Sequence, residues 1–306
     1  MSSESPVSLA EKAANGDRRS LARLISLIEQ DREIAGEVMQ SLASQAPVST
    51  ESKAWNSMAI TGAPGVGKSC IIDHLLRIWA SAGIRVALLA VDPSSPRTGG
   101  ALLGDRIRMS SPDDESIKSR VYVRSIATRK AGGSVPDVLG DLITVLLALG
   151  WDRVLIETVG AGQSEIRCAA IAERIVIIEG PARGDGIQAE KAGLLELADA
   201  VVVNKSDLPG ASRHAEELRE SYQYGKGSCP PVLLASALKQ DHLEQVAETL
   251  IELNSTGRAE KARWRERILA LHERTLLENP KWESTLESLM TGELDLQSAL
   301  EGLNDE

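Results

Sequence analysis

The chain has 306 residues, 42% hydrophobic and 3% aromatic with no phenylalanine, so a sizeable core is expected, packed mainly from aliphatic side chains. A formal charge of −10 and an isoelectric point near 5.1 argue against nonspecific nucleic-acid binding, and any phosphate-bearing ligand must be held by local donors. Cys70, Cys168 and Cys229 have neither disulfide nor metal-ligand spacing, no basic leader precedes a long apolar stretch, and internal apolar runs are short, so a soluble cytoplasmic protein without membrane segments is expected.

Residues 1–48 open as a polar tail, and the apolar spacing over 19–28 predicts an amphipathic helix, together an N-terminal helical extension. From 49 to 240, short aliphatic runs at 57–61, 85–91, 153–156, 175–178, 200–203 and 231–235 predict buried strands. Aliphatic segments near 70–80, 137–149 and 187–198 predict covering helices, with Pro93, Pro96 and Pro181 marking interruptions. Strands alternating with helices specify the α/β class, with a mainly parallel sheet covered by helices. Beyond 241, a helix over 243–251 and a charged helical pattern over 259–275 follow. The apolar positions of this last region either close over the core or form a homodimer arm.

The run Gly62-Ala63-Pro64-Gly65-Val66-Gly67-Lys68-Ser69 follows a predicted strand and satisfies the phosphate-loop pattern in full. Glycines let backbone N–H groups converge on a β phosphate, and the helix beginning there directs its positive end at the anion. Lys68 supplies mobile positive charge to the β/γ region, and the Ser69 hydroxyl is a Mg²⁺ ligand candidate. The nucleotide-binding set extends to Cys70 at the start of the helix. GTP and GDP are the expected substrate and product.

The base is expected to be read by Asn204-Lys205-Ser206-Asp207, at the C-terminal end of a predicted strand. A carboxylate at Asp207 accepts from guanine N1 and its exocyclic amine, a donor pair adenine lacks. Asn204 is expected to tie loops and base together. Lys205 is expected to lay its aliphatic stem on the ring with its ammonium toward solvent. Ser236-Ala237 is expected to complete the pocket through backbone contacts.

Carboxylates surround the expected γ phosphate and Mg²⁺: Asp92 and Asp105 bracket a Pro- and Gly-rich run containing Arg97 and Thr98, and Glu157 precedes Thr158-Val159-Gly160. Loops of this composition are switch candidates. Glu157 and Gln163, with Lys68, are the candidate catalytic residues. Neither Glu157 nor Gln163 is singled out by the sequence as the group that orders the attacking water.

Taken together, the phosphate loop, the run from Val91 through Asp105, Glu157-Thr158-Val159-Gly160-Ala161-Gly162-Gln163-Ser164-Glu165 and Asn204-Lys205-Ser206-Asp207 resemble the methylmalonyl-CoA mutase-associated GTPase family. This ArgK-like family lies within the dimeric metal- and cofactor-protein GTPases. The resemblance extends over most of the chain. It implies a P-loop G domain at 49–240, flanked by the helical extension at 1–48 and a helical dimerisation region at 241–306. Lys68 and Ser69 carry over to phosphate and Mg²⁺, Asp92 and Asp105 to the metal-side switch, Glu157 to the second strand end, and Asp207 to guanine.

The resemblance further implies a homodimer that protects and reactivates an adenosylcobalamin-dependent acyl-CoA mutase. Cobalamin would be carried by that partner rather than bound tightly by this chain, and an adenosyltransferase is a further partner. The segment from Gly180 to Lys191 resembles the family's partner-responsive region, which makes Asp185, Gln188 and Lys191 switch or partner-coupling candidates. Gly186 stands where a second acidic residue is expected after Asp185, a departure that bears on loop motion and partner coupling.

Two other functions compete. A nickel-enzyme metallochaperone would use a similar switch, yet His74, His214, His242 and His272 are scattered and the cysteines form no paired ligand motif. A noncatalytic guanine-nucleotide switch would bind GTP without placing a water.

Overall fold

In the computed structural model, the described residues are 4–43, 53–93, 109–128, 138–158, 171–181, 195–223 and 228–304. The chain divides into two compact units, 1–260 and 261–306.

The first unit begins with three helices, α1 (Pro6–Ala14), α2 (Arg18–Gln30) and α3 (Glu33–Ala43). Helix α1 starts where Ser5 accepts a hydrogen bond from the Ser8 N–H and Pro6 occupies the first turn, an N-terminal signal in a stretch read from sequence as polar tail. There follow β1 (Ser57–Thr61), α4 (Lys68–Ser81), β2 (Val86–Pro93), β3 (Val121–Thr128), α5 (Leu139–Ala148), β4 (Arg153–Thr158), β5 (Arg174–Glu179) and β6 (Ala200–Val203). Helix α6 (Ala211–Gln223), β7 (Val232–Leu234) and α7 (Leu243–Ile251) complete it. The helix expected near 187–198 lies mostly outside the described residues.

The seven described strands form one parallel sheet in the order β3-β2-β4-β1-β5-β6-β7. Successive side chains alternate between faces, so both faces must be apolar when helices cover both. Ile60, Leu88, Leu155, Val176 and Val202 pack in one cluster with Ile71 and Leu75 of α4 and Val246 and Leu250 of α7. Ala59, Leu89, Ile156, Ile177 and Val203 pack in the other with Leu24 of α2, Leu142 of α5 and Leu218 of α6. In place of phenylalanine, Trp55 and Trp79 pack in a tilted pair, with centroids 5.9 Å apart and ring planes 60° to each other. Their indole N–H groups donate to the Leu250 and Ala247 carbonyls at 2.8 and 3.1 Å, satisfying carbonyls near the end of α7.

Strand β3 is the strand the sequence pattern does not reveal. Arg124 interrupts its apolar run, and the charge is compensated from α2, where Ser26 accepts at 2.9 Å and Glu29 forms an ion pair with it. Arg18 donates to the Val121 carbonyl at 2.9 Å, so the N-terminal helices also cover this edge strand.

The second unit contains α8 (Glu260–Glu278), α9 (Trp282–Thr291) and α10 (Leu296–Asn304). Asn279 donates to the Leu303 carbonyl at 3.0 Å, tying the start of the α8–α9 turn to the end of α10. Trp264, Ile268 and Leu271 recur at helical spacing on α8 and are 58%, 64% and 63% exposed, so an apolar stripe of this helix remains uncovered. Among the described residues, no helix is long and apolar enough to cross a membrane.

Asp199 joins the sheet to the segment leading into α8. Its carboxylate is fully buried and accepts from the Ile175 N–H at 2.9 Å, the Thr256 N–H at 2.8 Å and the Thr256 hydroxyl at 3.0 Å. Asp199→Ala leaves these donors without that acceptor, and urea unfolding should show a loss of about 3 kcal/mol. A change below about 0.5 kcal/mol would contradict the assigned role.

Candidate functional site

The phosphate loop runs from β1 to α4 at the C-terminal edge of the sheet. Two glycines are required by the space around them. Gly62 has φ +141°, and an added Cβ would stand 2.1 Å from the Ile178 carbonyl oxygen. Gly67, the N-cap of α4, has φ +96°, and an added Cβ would meet Asn204 Nδ2 at 2.4 Å. Both combine a positive φ with contact too close for any side chain. Pro64 and Gly65 are exposed, and Ala63 and Val66 are half-buried.

Lys68 is buried, with its ammonium donating to the Gly62 and Ala63 carbonyls at 2.5 and 3.2 Å. The charge is thereby held within the loop. The Ser69 hydroxyl donates to Glu157 Oε1 at 2.7 Å, joining the first turn of α4 to the end of β4. Glu157 is 2% exposed. A buried carboxylate is stable only beside compensating donors or charge, so its placement against Ser69 is a strong constraint on the site. Cys70 is exposed on the same first turn of α4.

Asp92 lies on β2 two positions beyond Ala90, the residue in register with Glu157. Of the other candidates, Arg97, Thr98, Asp105, Gly160, Gln163, Asp185, Gly186, Gln188 and Lys191 lie outside the described residues.

The residues expected to read the base lie close together. Asn204 directly follows β6; its amide donates to the Val66 carbonyl at 2.8 Å and its Oδ1 accepts from the Ala237 N–H at 3.0 Å. One side chain therefore spans from the phosphate loop to the loop after β7. Lys205 differs from expectation. Its backbone is left-handed, with φ +61°, and its ammonium donates to the Gly65 carbonyl at 2.8 Å instead of pointing to solvent. The loop carbonyl gives the charge a closer partner than water.

Asp207 is exposed and accepts a hydrogen bond from the Ser236 hydroxyl. Ser236 thus contacts Asp207, the residue expected to read the base, through its side chain. That hydrogen bond is the main cause holding the Asp207 carboxyl below its ordinary range. His74 is not anticipated by the sequence pattern: its Nε2 pairs with the Ala237 carbonyl at 3.1 Å, fixing the base-side loop to α4. Nothing in the sequence around His74 marks it, because its partner lies 163 residues away.

A phosphate loop between the first strand and its helix, a guanine-type Asn-Lys-x-Asp loop after a neighbouring strand, and an all-parallel sheet define a P-loop GTPase. Within that class, residues 21–282 match the family described as methylmalonyl Co-A mutase-associated GTPase MeaB, and the chain belongs to this family. A Pyrococcus abyssi protein named for GTPase activity is 38% identical over 270 residues, covering 85% of this chain and 80% of that protein. A fused isobutyryl-CoA mutase of Geobacillus kaustophilus is 35% identical over 219 residues, 70% of this chain but 20% of that much longer protein. The solved structure of a LAO/AO transport system kinase superposes with TM-score 0.64 at 21% identity, covering 100% of this chain and 98% of that one, and shows the same fold.

The Ser236–Asp207 hydrogen bond gives a pH prediction. Because the Asp207 pKa is lowered, its carboxylate persists to lower pH, and with the guanine-reading role expected of Asp207, guanine affinity should be lost only as pH falls through that lowered value. In Ser236→Ala the carboxyl should return toward its ordinary value of about 4, so the acid limb of GTP binding moves to higher pH. Titration of GTP binding by calorimetry checks this, and an unmoved limb would contradict it.

Proposed function

We propose that this GTPase couples GTP binding and hydrolysis to protection and reactivation of an adenosylcobalamin-dependent acyl-CoA mutase, gating delivery or exchange of cobalamin carried by that enzyme. The observation that carries the proposal is the similarity to a segment of the fused isobutyryl-CoA mutase, where a related sequence and a mutase share one chain. Family membership supports the same direction. The acyl-CoA handled by the partner is methylmalonyl-CoA or an isobutyryl-type substrate. An adenosyltransferase is a second partner in this reading, and the cytoplasm is its compartment.

The residues around the phosphate loop supply the chemistry. The Ser69 hydroxyl and Glu157 carboxylate are oxygen donors of the kind Mg²⁺ takes, and their 2.7 Å contact beside the phosphate loop fits such an ion. Asp92 and Asp105 are the further carboxylates proposed for it. When bound, Mg²⁺ offsets charge on the β- and γ-phosphate oxygens. Lys68 and the loop N–H groups stabilise negative charge that develops as water attacks the γ phosphorus and the bond to the bridging oxygen breaks. Glu157 and Gln163 are proposed to orient that water, Asp207 to read guanine, and Asn204, Lys205, Ser236 and Ala237 to frame the base. Arg97, Thr98, Gly160, Asp185, Gln188 and Lys191 are proposed to transmit the nucleotide state to the partner.

The same reading makes the chain a homodimer through its C-terminal helical region, with residues 1–48 as an N-terminal extension of the G domain. The exposed stripe of Trp264, Ile268 and Leu271 supports this assignment, because apolar helix faces of this kind are ordinarily covered by another helix. Light scattering should return the mass of a dimer, and a monomer at every concentration would remove this part of the proposal.

Single-turnover GTP cleavage with and without a cobalamin-dependent acyl-CoA mutase tests the coupling. Hydrolysis should be slow alone and faster in the complex, and Lys68→Ala should lower the rate by at least about 100-fold in both. An unchanged rate with the mutase demonstrably bound would contradict partner coupling.

A further inference from the structure

The N-terminal helices and strand β3 border a cavity of about 360 Å³, lined by Glu4, Ala22, Arg23, Ser26, Leu27 and Arg124. None of these residues belongs to the phosphate loop or the base loop. The volume is that of a pocket for a small ligand.

The fold alone does not account for Arg124. At a half-buried strand position an aliphatic side chain would pack as well as an ion pair, which must first offset the loss of water around two charges. The guanidinium is also incompletely used. Its Nη2 makes both of its contacts, to the Ser26 hydroxyl at 2.9 Å and to Glu29. Its Nε is sealed from solvent without an acceptor, and Nη1 makes no hydrogen bond among the described residues, which leaves Nη1 as the donor free for a ligand. Ser26 is itself committed, donating to the Ala22 carbonyl at 3.0 Å. On the same cavity, Arg23 is 59% exposed and donates from Nη1 to Glu4 at 2.8 Å, a carboxylate it shares with Lys12.

Two guanidinium groups on one small cavity suit an oxyanion, because the planar fork matches a carboxylate through parallel hydrogen bonds. The surrounding charges decide which kind. Lys12, Arg23 and Arg124 are set against Glu4 and Glu29, so the lining side chains and their ion-pair partners carry a single positive charge in excess. One carboxylate balances that charge, whereas a dianion such as phosphate would bring surplus negative charge toward two carboxylates. Ala22 and Leu27 add an apolar wall, which a bare inorganic ion cannot use and a hydrocarbon chain can.

We propose that this cavity binds a small aliphatic carboxylate, its charged end between Arg23 and Arg124 and its hydrocarbon part against Ala22 and Leu27. The site is separate from the nucleotide residues, so GTP affinity serves as the control for an intact fold.

Calorimetric titration of the full chain with butyrate, acetate, butylammonium and inorganic phosphate tests this. Butyrate should bind once per chain and roughly tenfold more tightly than acetate, the gain from burying two further methylene groups. Butylammonium and phosphate should bind at least about tenfold more weakly than butyrate. Arg124→Lys, which keeps the charge and loses the fork, and Arg23→Gln, at an exposed position, should each weaken butyrate at least about fivefold with GTP affinity unchanged. Leu27→Ala should narrow the gap between butyrate and acetate. Absence of saturable butyrate binding would overturn the proposal, as would butyrate affinity unchanged in both arginine variants. Phosphate binding more tightly than butyrate would overturn the ligand class, and an acidic peptide that binds there when butyrate does not would overturn the small-molecule ligand.

Discussion

The Asn204 side chain is the constraint on which the rest of the site depends. Its amide donates to the phosphate loop at Val66 and its carbonyl oxygen accepts from the loop after β7 at Ala237. These contacts make two loops, 138 residues away in sequence at the first and 33 at the second, parts of one frame. The geometry bears on sequence elsewhere: at Gly67, whose φ of +96° already favours glycine, a Cβ would stand 2.4 Å from Asn204 Nδ2. Lys205 adds a second tie to the same loop through the Gly65 carbonyl. The phosphate loop and the loops expected to hold the base are therefore positioned together by the protein's own contacts.

The parallel sheet explains why this frame forms where it does. Strand β1 lies beside β4 and is separated from β6 by β5 alone, so the residues following these parallel strands converge at one edge. Ser69 at the start of α4 meets Glu157 at the end of β4, and Asn204 follows β6. Both sheet faces are packed with aliphatic residues, which leaves the strand ends as the place where polar side chains gather. The net acidic chain thus holds an anion through local donors, and its overall charge of −10 contributes nothing favourable.

Much of this was legible in the sequence because buried parallel strands are short apolar runs bounded by turn signals. The runs at 57–61 and 200–203 coincide with β1 and β6, and the phosphate loop and base loop follow them directly. Strand β3 was hidden because Arg124 finds its compensating partners on α2, at a sequence separation of 95 residues for Glu29. Helix α1 was hidden by its polar surroundings, although Ser5 and Pro6 carried an N-terminal signal. At the site, motif spacing located Asn204 and Asp207, but not the tie from Lys205 to Gly65 or the support from His74. Those depend on loop positions that only the packed sheet brings together.

The link through Asn204 is tested most directly by a double-mutant cycle on GTP affinity using Gly67→Ala, Asn204→Ala and the two combined. Gly67→Ala should cost much less affinity in the Asn204→Ala background, because the side chain it collides with is gone and only backbone strain remains. A coupling of at least about 1 kcal/mol is the expected result. Additive losses would contradict the account, separating the phosphate loop from the base loop that Asn204 is argued to join.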